Sequence, residues 1–361
     1  MYRPEAGAPA ERLQGRLTWA RCPRAARRRP GGHDLRGLRV FAMTNQLRGP
    51  GETAAMPEAG NNGGHQAFEA RSQPQLEAIR KGDLPAVWGE QVQRSQEGTP
   101  TAMARPDYLA ACVAGLETFI FGAERKLDAP VVFVTHGRGG NAADTFAWCR
   151  ELAGAGLIAV GVEQRNHGRR MVDREGNSDN PADMMYGIIL GTARDISLLI
   201  DCLPARLGIA TDRVGVTGGS LGGHVTQLAM ALEPRISVGA SLIGSGDFRH
   251  LMELRATRYG IGGEGFPTFY RPALDELVRR YDPIEHPERL SDRPLLMLNG
   301  DSDDLVQMEC NQRLEAAVRP YYSHPERLRL IIYPGVGHAV PPEMWAEAKQ
   351  WLVRWLLETP V

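Results

Sequence analysis

The chain has 361 residues, 42% hydrophobic and 24% charged, with a formal net charge of −1. Such a chain can bury a full core, and its near-neutral balance gives no overall field to gather nucleic acid or an anionic membrane. The five cysteines (Cys22, Cys112, Cys149, Cys202, Cys310) form no CxxC pair and no Cys/His cluster at metal-ligand spacing, a pattern that fits reduced thiols in a cytoplasm.

The amino-terminal hundred residues differ from the rest. "RCPRAARRRPGGHDLRGLRV" and "RGPGETAAMPEAGNNGGHQ" are too poor in apolar residues to offset the entropy of ordering, so residues 1 to 64 are expected to be a mostly disordered, solvated leader, with Met43 or Met56 as an alternative start. Arg27 to Arg29 are followed by no apolar run of export-signal type, and no transmembrane run occurs. Residues 65 to 105 read as a helical arm, interrupted at Gly82 and Pro85.

A regular pattern then begins, and residues 106 to 361 are expected to form the main domain. Apolar runs bounded by turn residues lie at 117–121, 130–137, 157–163, 213–218, 236–244, 294–300 and 328–335. Segments of helical period separate most of them, at 141–153, 183–206, 220–233, 308–318 and 342–358, the last opened by Pro342. Continuous apolar strands alternating with helices predict an α/β fold, a mainly parallel sheet covered on both faces. Residues 245 to 293, rich in Gly, Pro and aromatics, break the alternation and read as an insertion over the carboxyl edge of the sheet.

Within this frame "RVGVTGGSLGGH" runs from a strand through Gly218-x-Ser220-x-Gly222 into a helix. A side chain on so sharp a turn sits in strained backbone, and glycines flank it because a Cβ would collide with strand or helix. Ser220 Oγ then projects above the sheet, and the Leu221 amide at the helix start points toward an oxyanion formed there. A serine hydroxyl needs a base, and the base an acid to orient it. In this architecture the order is Ser, then Asp or Glu, then His. "NGDSDDLV" supplies Asp301, Asp303 and Asp304 after one strand, and "PGVGHAVP" supplies His338, read as the base, after the last.

With "HGRGG" (136–140), "QRNHGRR" (164–170) and the motifs above, residues 106 to 359 resemble the α/β-hydrolase fold, and within it dienelactone hydrolase and the prolyl-oligopeptidase-related esterases. That resemblance implies Asp303 as the acid, between Gly300 and Val306, with Asp304 or Asp247 as alternatives. It also implies that "HGRGG" is the oxyanion loop, with the amide of Arg138, or of Gly139, as second donor. His136 is then structural, its imidazole turned into the loop. His224 reads as packing against the sheet, His167 as organising its loop, and Trp345, Trp351 and Trp355 as packing residues.

A serine hydrolase acting on a small-molecule carboxylic ester through an acyl-enzyme is the expected function, because no propeller-like segment that would select peptides precedes the core. Peptidase or acyl-peptide hydrolase chemistry is one alternative, and a non-catalytic ligand-binding homologue another. No metal or organic cofactor is implied, and neither nucleic acid nor membrane is an expected partner. Arg138, Arg165, Arg169 and Arg170 lie near the carboxyl edge; they either pair with Glu163, Asp173, Glu175 or Asp183 to hold loops, or one of them, Arg169, meets an acidic group on the substrate.

Overall fold

The computed structural model describes residues 107–124, 126–172, 181–259 and 272–358. The leader and arm expected over 1–64 and 65–105 lie outside them. Eight strands form one sheet: β1 (Leu109–Val113), β2 (Leu116–Phe121), β3 (Val131–Thr135), β4 (Ile158–Val162), β5 (Val214–Gly219), β6 (Ile236–Leu242), β7 (Leu295–Gly300) and β8 (Leu328–Tyr333), in the order β1-β2-β4-β3-β5-β6-β7-β8. β3 to β8 run parallel, and β2 is antiparallel to both β1 and β4. This is the mainly parallel architecture that the alternation predicts.

The helices are α1 (Phe146–Gly154), α2 (Pro181–Leu207), α3 (Leu221–Leu232), α4 (Phe248–Tyr259), α5 (Pro272–Tyr281), α6 (Met308–Val318) and α7 (Pro342–Val353). Alternate residues of β3 serve opposite cores: Val131 and Phe133 belong to the core that also takes residues of α2 to α6, while Val132 and Val134 belong to the one that takes residues of α1 and α7. All four are fully buried, which is why β3 reads as an unbroken apolar run. Burying each such side chain contributes roughly 1.5–3 kcal/mol of transfer free energy.

Two differences from the sequence reading have local causes. β1 escapes it because "LAACV" lacks a strong strand signature; its identity comes from pairing with β2 across Ala114 and Gly115, both at positive φ. The expected insertion over 245–293 includes α4 and α5, together with short 3₁₀ turns at Pro283–Glu285 and Pro287–Leu290.

The strand order also positions the site. From β3 the chain passes to α1 on one face, and from neighbouring β5 to α3 on the other, so a crevice opens at the carboxyl ends of these two strands. Its floor is tight: a Cβ on Gly222 would overlap the Thr135 carbonyl oxygen and stand 2.9 Å from the His136 carbonyl oxygen. Gly222→Ala is expected to lower stability by about 1–3 kcal/mol through overpacking. Gly187→Ala, at an exposed α2 position with nothing within 4 Å of the new methyl, should match or exceed the parent. Thermal melts of the two variants side by side check this.

Candidate active site

Ser220 stands between β5 and α3 with φ +56° and ψ −115°, a conformation that side-chain-bearing residues rarely adopt. The surroundings hold it there. Its amide donates to Leu242 O at 2.9 Å, and its carbonyl accepts from His224 N at 3.1 Å. The Thr135 hydroxyl lies 3.3 Å from Thr217 O and 3.2 Å from Gly222 O, tying the end of β3 to the strand and helix on either side of the serine.

Three side chains from three loops meet here. Ser220 Oγ lies 2.8 Å from His338 Nε2, and His338 Nδ1 lies 2.8 Å from Asp303 Oδ2 and 3.0 Å from Asp303 Oδ1. Asp303 is buried, and its Oδ1 also accepts from Leu305 N and Val306 N, each at 2.9 Å. The carboxylate is thereby fixed before it meets the imidazole. Asp247, an alternative acid in the sequence, instead accepts from Arg313 Nε at 2.7 Å and from His250 N at 3.2 Å; Asp304 is exposed.

The loop 136–142 faces the serine: a Cβ on Gly137 would stand 3.8 Å from Ser220 Cβ. Residues after β4 brace it from behind. Glu163 Oε1 lies 2.9 Å from His136 Nε2, while Glu163 Oε2 accepts from Ala142 N at 3.3 Å, so one buried carboxylate holds both ends of the loop. Gln164 Nε2 donates to His136 O, and Gly139 N donates to His167 Nε2 at 3.1 Å. A Cβ on Gly168, which has φ +48°, would collide with the Glu163 carboxylate. His136 and His167 thus do organise loops. The buttressing by Glu163 was not read from the sequence, where the residue was only a possible arginine partner.

Three of the four arginines have partners outside the set considered in the sequence. Arg165 and Arg170 both pair with Asp195 of α2, at 2.8 and 2.7 Å, and Arg169 pairs with Glu117 of β2 at 3.3 Å. Asp173 and Glu175 lie outside the described residues. A substrate carboxylate reaching Arg169 would compete with Glu117.

His224 is fully buried and its Nδ1 accepts from Ser245 N at 2.8 Å. Burial lowers its pKa to about 4, assisted by the nearby Arg255 and His338 charges and opposed by the contact of Nδ1 with Ser245 O at 2.9 Å, to which the protonated ring would donate. Among the described residues no group of three or more His, Cys, Asp or Glu could hold a metal ion, and no helix is long and apolar enough to cross a membrane.

An eight-stranded, mostly parallel sheet with a serine on the strand-to-helix turn after β5 defines an α/β hydrolase, and the comparisons with known proteins agree. Residues 191–359 match the model of the prolyl oligopeptidase family. The esterase YjfP of Escherichia coli is 27% identical over 227 residues, 61% of this chain and 86% of that one. Among solved structures, TT1662 from Thermus thermophilus superposes with a TM-score of 0.56 at 22% identity, covering 69% of this chain and 98% of its own. Acetyl xylan esterase 1 from Thermoanaerobacterium gives 0.52 at 17% identity, covering 78% and 94%. The chain has the α/β-hydrolase fold, and its residues 191–359 are similar to the prolyl oligopeptidase family.

Two outcomes follow from the geometry. Glu163→Ala removes the acceptor at both ends of the loop and should lower kcat on an activated ester by about tenfold or more with KM little changed; Glu163→Gln, which keeps one acceptor oxygen, should fall between that variant and the parent. For His224 the unfolded chain binds more protons than the folded one between pH 6.5 and about 4, so folding stability falls as pH falls through that window. His224→Gln should flatten that part of a melting-temperature profile, whatever its effect at pH 8.

Proposed function

We propose that this hydrolase cleaves a carboxylic ester through a covalent acyl-enzyme, with Ser220 as nucleophile, His338 as general base and acid, and Asp303 as the group that orients His338. The observation that carries the reading is the unbroken contact from Ser220 Oγ through His338 to Asp303, with both links at 2.8 Å. Esterase naming of a relative that covers most of its own length supports the ester.

Each group has one task. Ser220 Oγ attacks the ester carbonyl carbon and its proton passes to His338 Nε2. Asp303 accepts from Nδ1–H, which keeps Nε2 directed at the serine and stabilises the imidazolium. The carbonyl oxygen, now an oxyanion, receives hydrogen bonds from the Leu221 amide at the start of α3 and from the Arg138 amide. The assignment to Arg138 over Gly139 follows from the engagement of the Gly139 amide by His167 Nε2. Collapse expels the alcohol, which takes the proton from Nε2. Water then repeats the sequence on the acyl-serine and releases the acid.

A peptidase is the second reading, favoured by the family match over 191–359. Both share the acyl-enzyme, so substrates separate them. Turnover of p-nitrophenyl esters of increasing chain length, set beside aminoacyl-anilides, should give kcat/KM values far higher for the esters; the opposite ranking makes the protein a peptidase. Ser220→Ala and His338→Ala should each lose several orders of magnitude in kcat, on the order of 10³–10⁶. Near-parental turnover in either variant ends the proposal. Asp303→Asn should cost far more than Asp304→Asn, and the reverse would move the acid to the neighbour.

A further inference from the structure

We infer that Gln227, Asn311 and Asn299 form a buried chain of side-chain amides that positions Asp303 relative to the turn carrying Ser220. The inference rests on the triad reading above and adds to it three positioning residues, none of which touches the reacting atoms.

All three side chains are fully buried and come from three elements: Gln227 from α3, Asn311 from α6 and Asn299 from β7. At the nucleophile end, Gln227 Nε2 donates to Ser241 Oγ at 2.9 Å, and the Ser241 hydroxyl donates to Gly223 O at 3.0 Å, three residues beyond Ser220. Gln227 Nε2 also donates to Asn311 Oδ1 at 2.9 Å. Asn311 Nδ2 in turn donates to Gly244 O at 2.8 Å and to Asn299 Oδ1. Asn299 Nδ2 donates to Val306 O at 3.1 Å. Val306 closes the path, because its amide is one of the two that hold Asp303 Oδ1.

The direction of each amide is determined. Val306 O and Gly244 O can only accept, so the NH2 groups of Asn299 and Asn311 must face them. Asn299 Oδ1 is then left to receive Asn311, and Asn311 Oδ1 to receive Gln227. Turning any one amide over would set acceptor against acceptor, or donor against donor, in the interior, where an unmade hydrogen bond costs about 1–3 kcal/mol. Apolar side chains of the same size would fill this space but would leave the 303–306 turn without its tether to β7. A chain with one permitted arrangement fixes the acid's turn and the nucleophile's helix in a common frame.

The test is a double-mutant cycle on an activated ester. Asn299→Ala should lower kcat by about ten- to a hundredfold, the scale expected from a small misplacement of a catalytic group, with KM within about threefold. If Asn299 acts through Asp303, then adding Asn299→Ala to Asp303→Asn should cost less than about a further threefold. An equal factor in both backgrounds, or parental kcat in the single variant, overturns the inference. Should Asn299→Ala fail to fold by circular dichroism, Asn299→Ser, which keeps an oxygen for Asn311, carries the same cycle. Parent and Ser220→Ala measured alongside keep the two proposals apart: an active parent and a silent Ser220→Ala uphold the triad whatever Asn299 does.

Discussion

The close approach of three backbones around Ser220 is the constraint on which the rest of the site depends. β3, the start of α3 and the segment after β6 pack so near one another that Gly218, Gly222, Gly223 and Gly244 have no room for a Cβ. The turn holds a serine at φ +56° through the bonds of its amide to Leu242 O and of its carbonyl to His224 N. Once that turn is fixed, the side chain must point off the carboxyl edge, and the first helical amide must point the same way. The exposed serine and the helix start beside it are consequences of one packing requirement.

The elements that complete the site are held by polar groups whose partners are far away in sequence. Glu163 spans the 136–142 loop, while Asp195 gathers Arg165 and Arg170 and so ties the segment after β4 to α2. Each is a carboxylate that stays buried because it is fully engaged, which is the condition under which a charge can be accommodated in an interior.

How much of this could be read from the sequence follows from the range of the interactions involved. The parallel sheet was legible because β3, β4 and β7 are buried on both faces and write themselves as continuous apolar runs. Ser220 was legible because the cost of its conformation is met by neighbours one and two residues away. β1 was not, since a half-buried edge strand gains its structure from its partner. Nor were α4 and α5 inside the insertion: in "FRHLMELRATRY" the apolar face shrinks to Phe248, Leu251 and Met252 among charged residues, and the stripe of α5, carried by Leu274 and Val278, lies in a segment whose Gly, Pro and aromatic residues read as loop. Asp195 inside α2, Glu163 at the end of an apolar strand, and the amides at 227, 299 and 311 give no local signal, because what distinguishes them is a partner brought near only by the fold.

The loops after β7 and β8 are fastened to each other before either reaches Ser220. Ser302 N donates to Val336 O at 3.1 Å, Asp301 N to Tyr333 O at 3.2 Å, and Gly335 N to Asp301 Oδ1 at 2.7 Å, while Gly300 lies flat against the Val336 carbonyl. Asp303 and His338 are therefore joined through the backbones of their own loops as well as through their side chains. A substitution that loosens either loop would therefore be felt at both side chains, whichever loop it falls in.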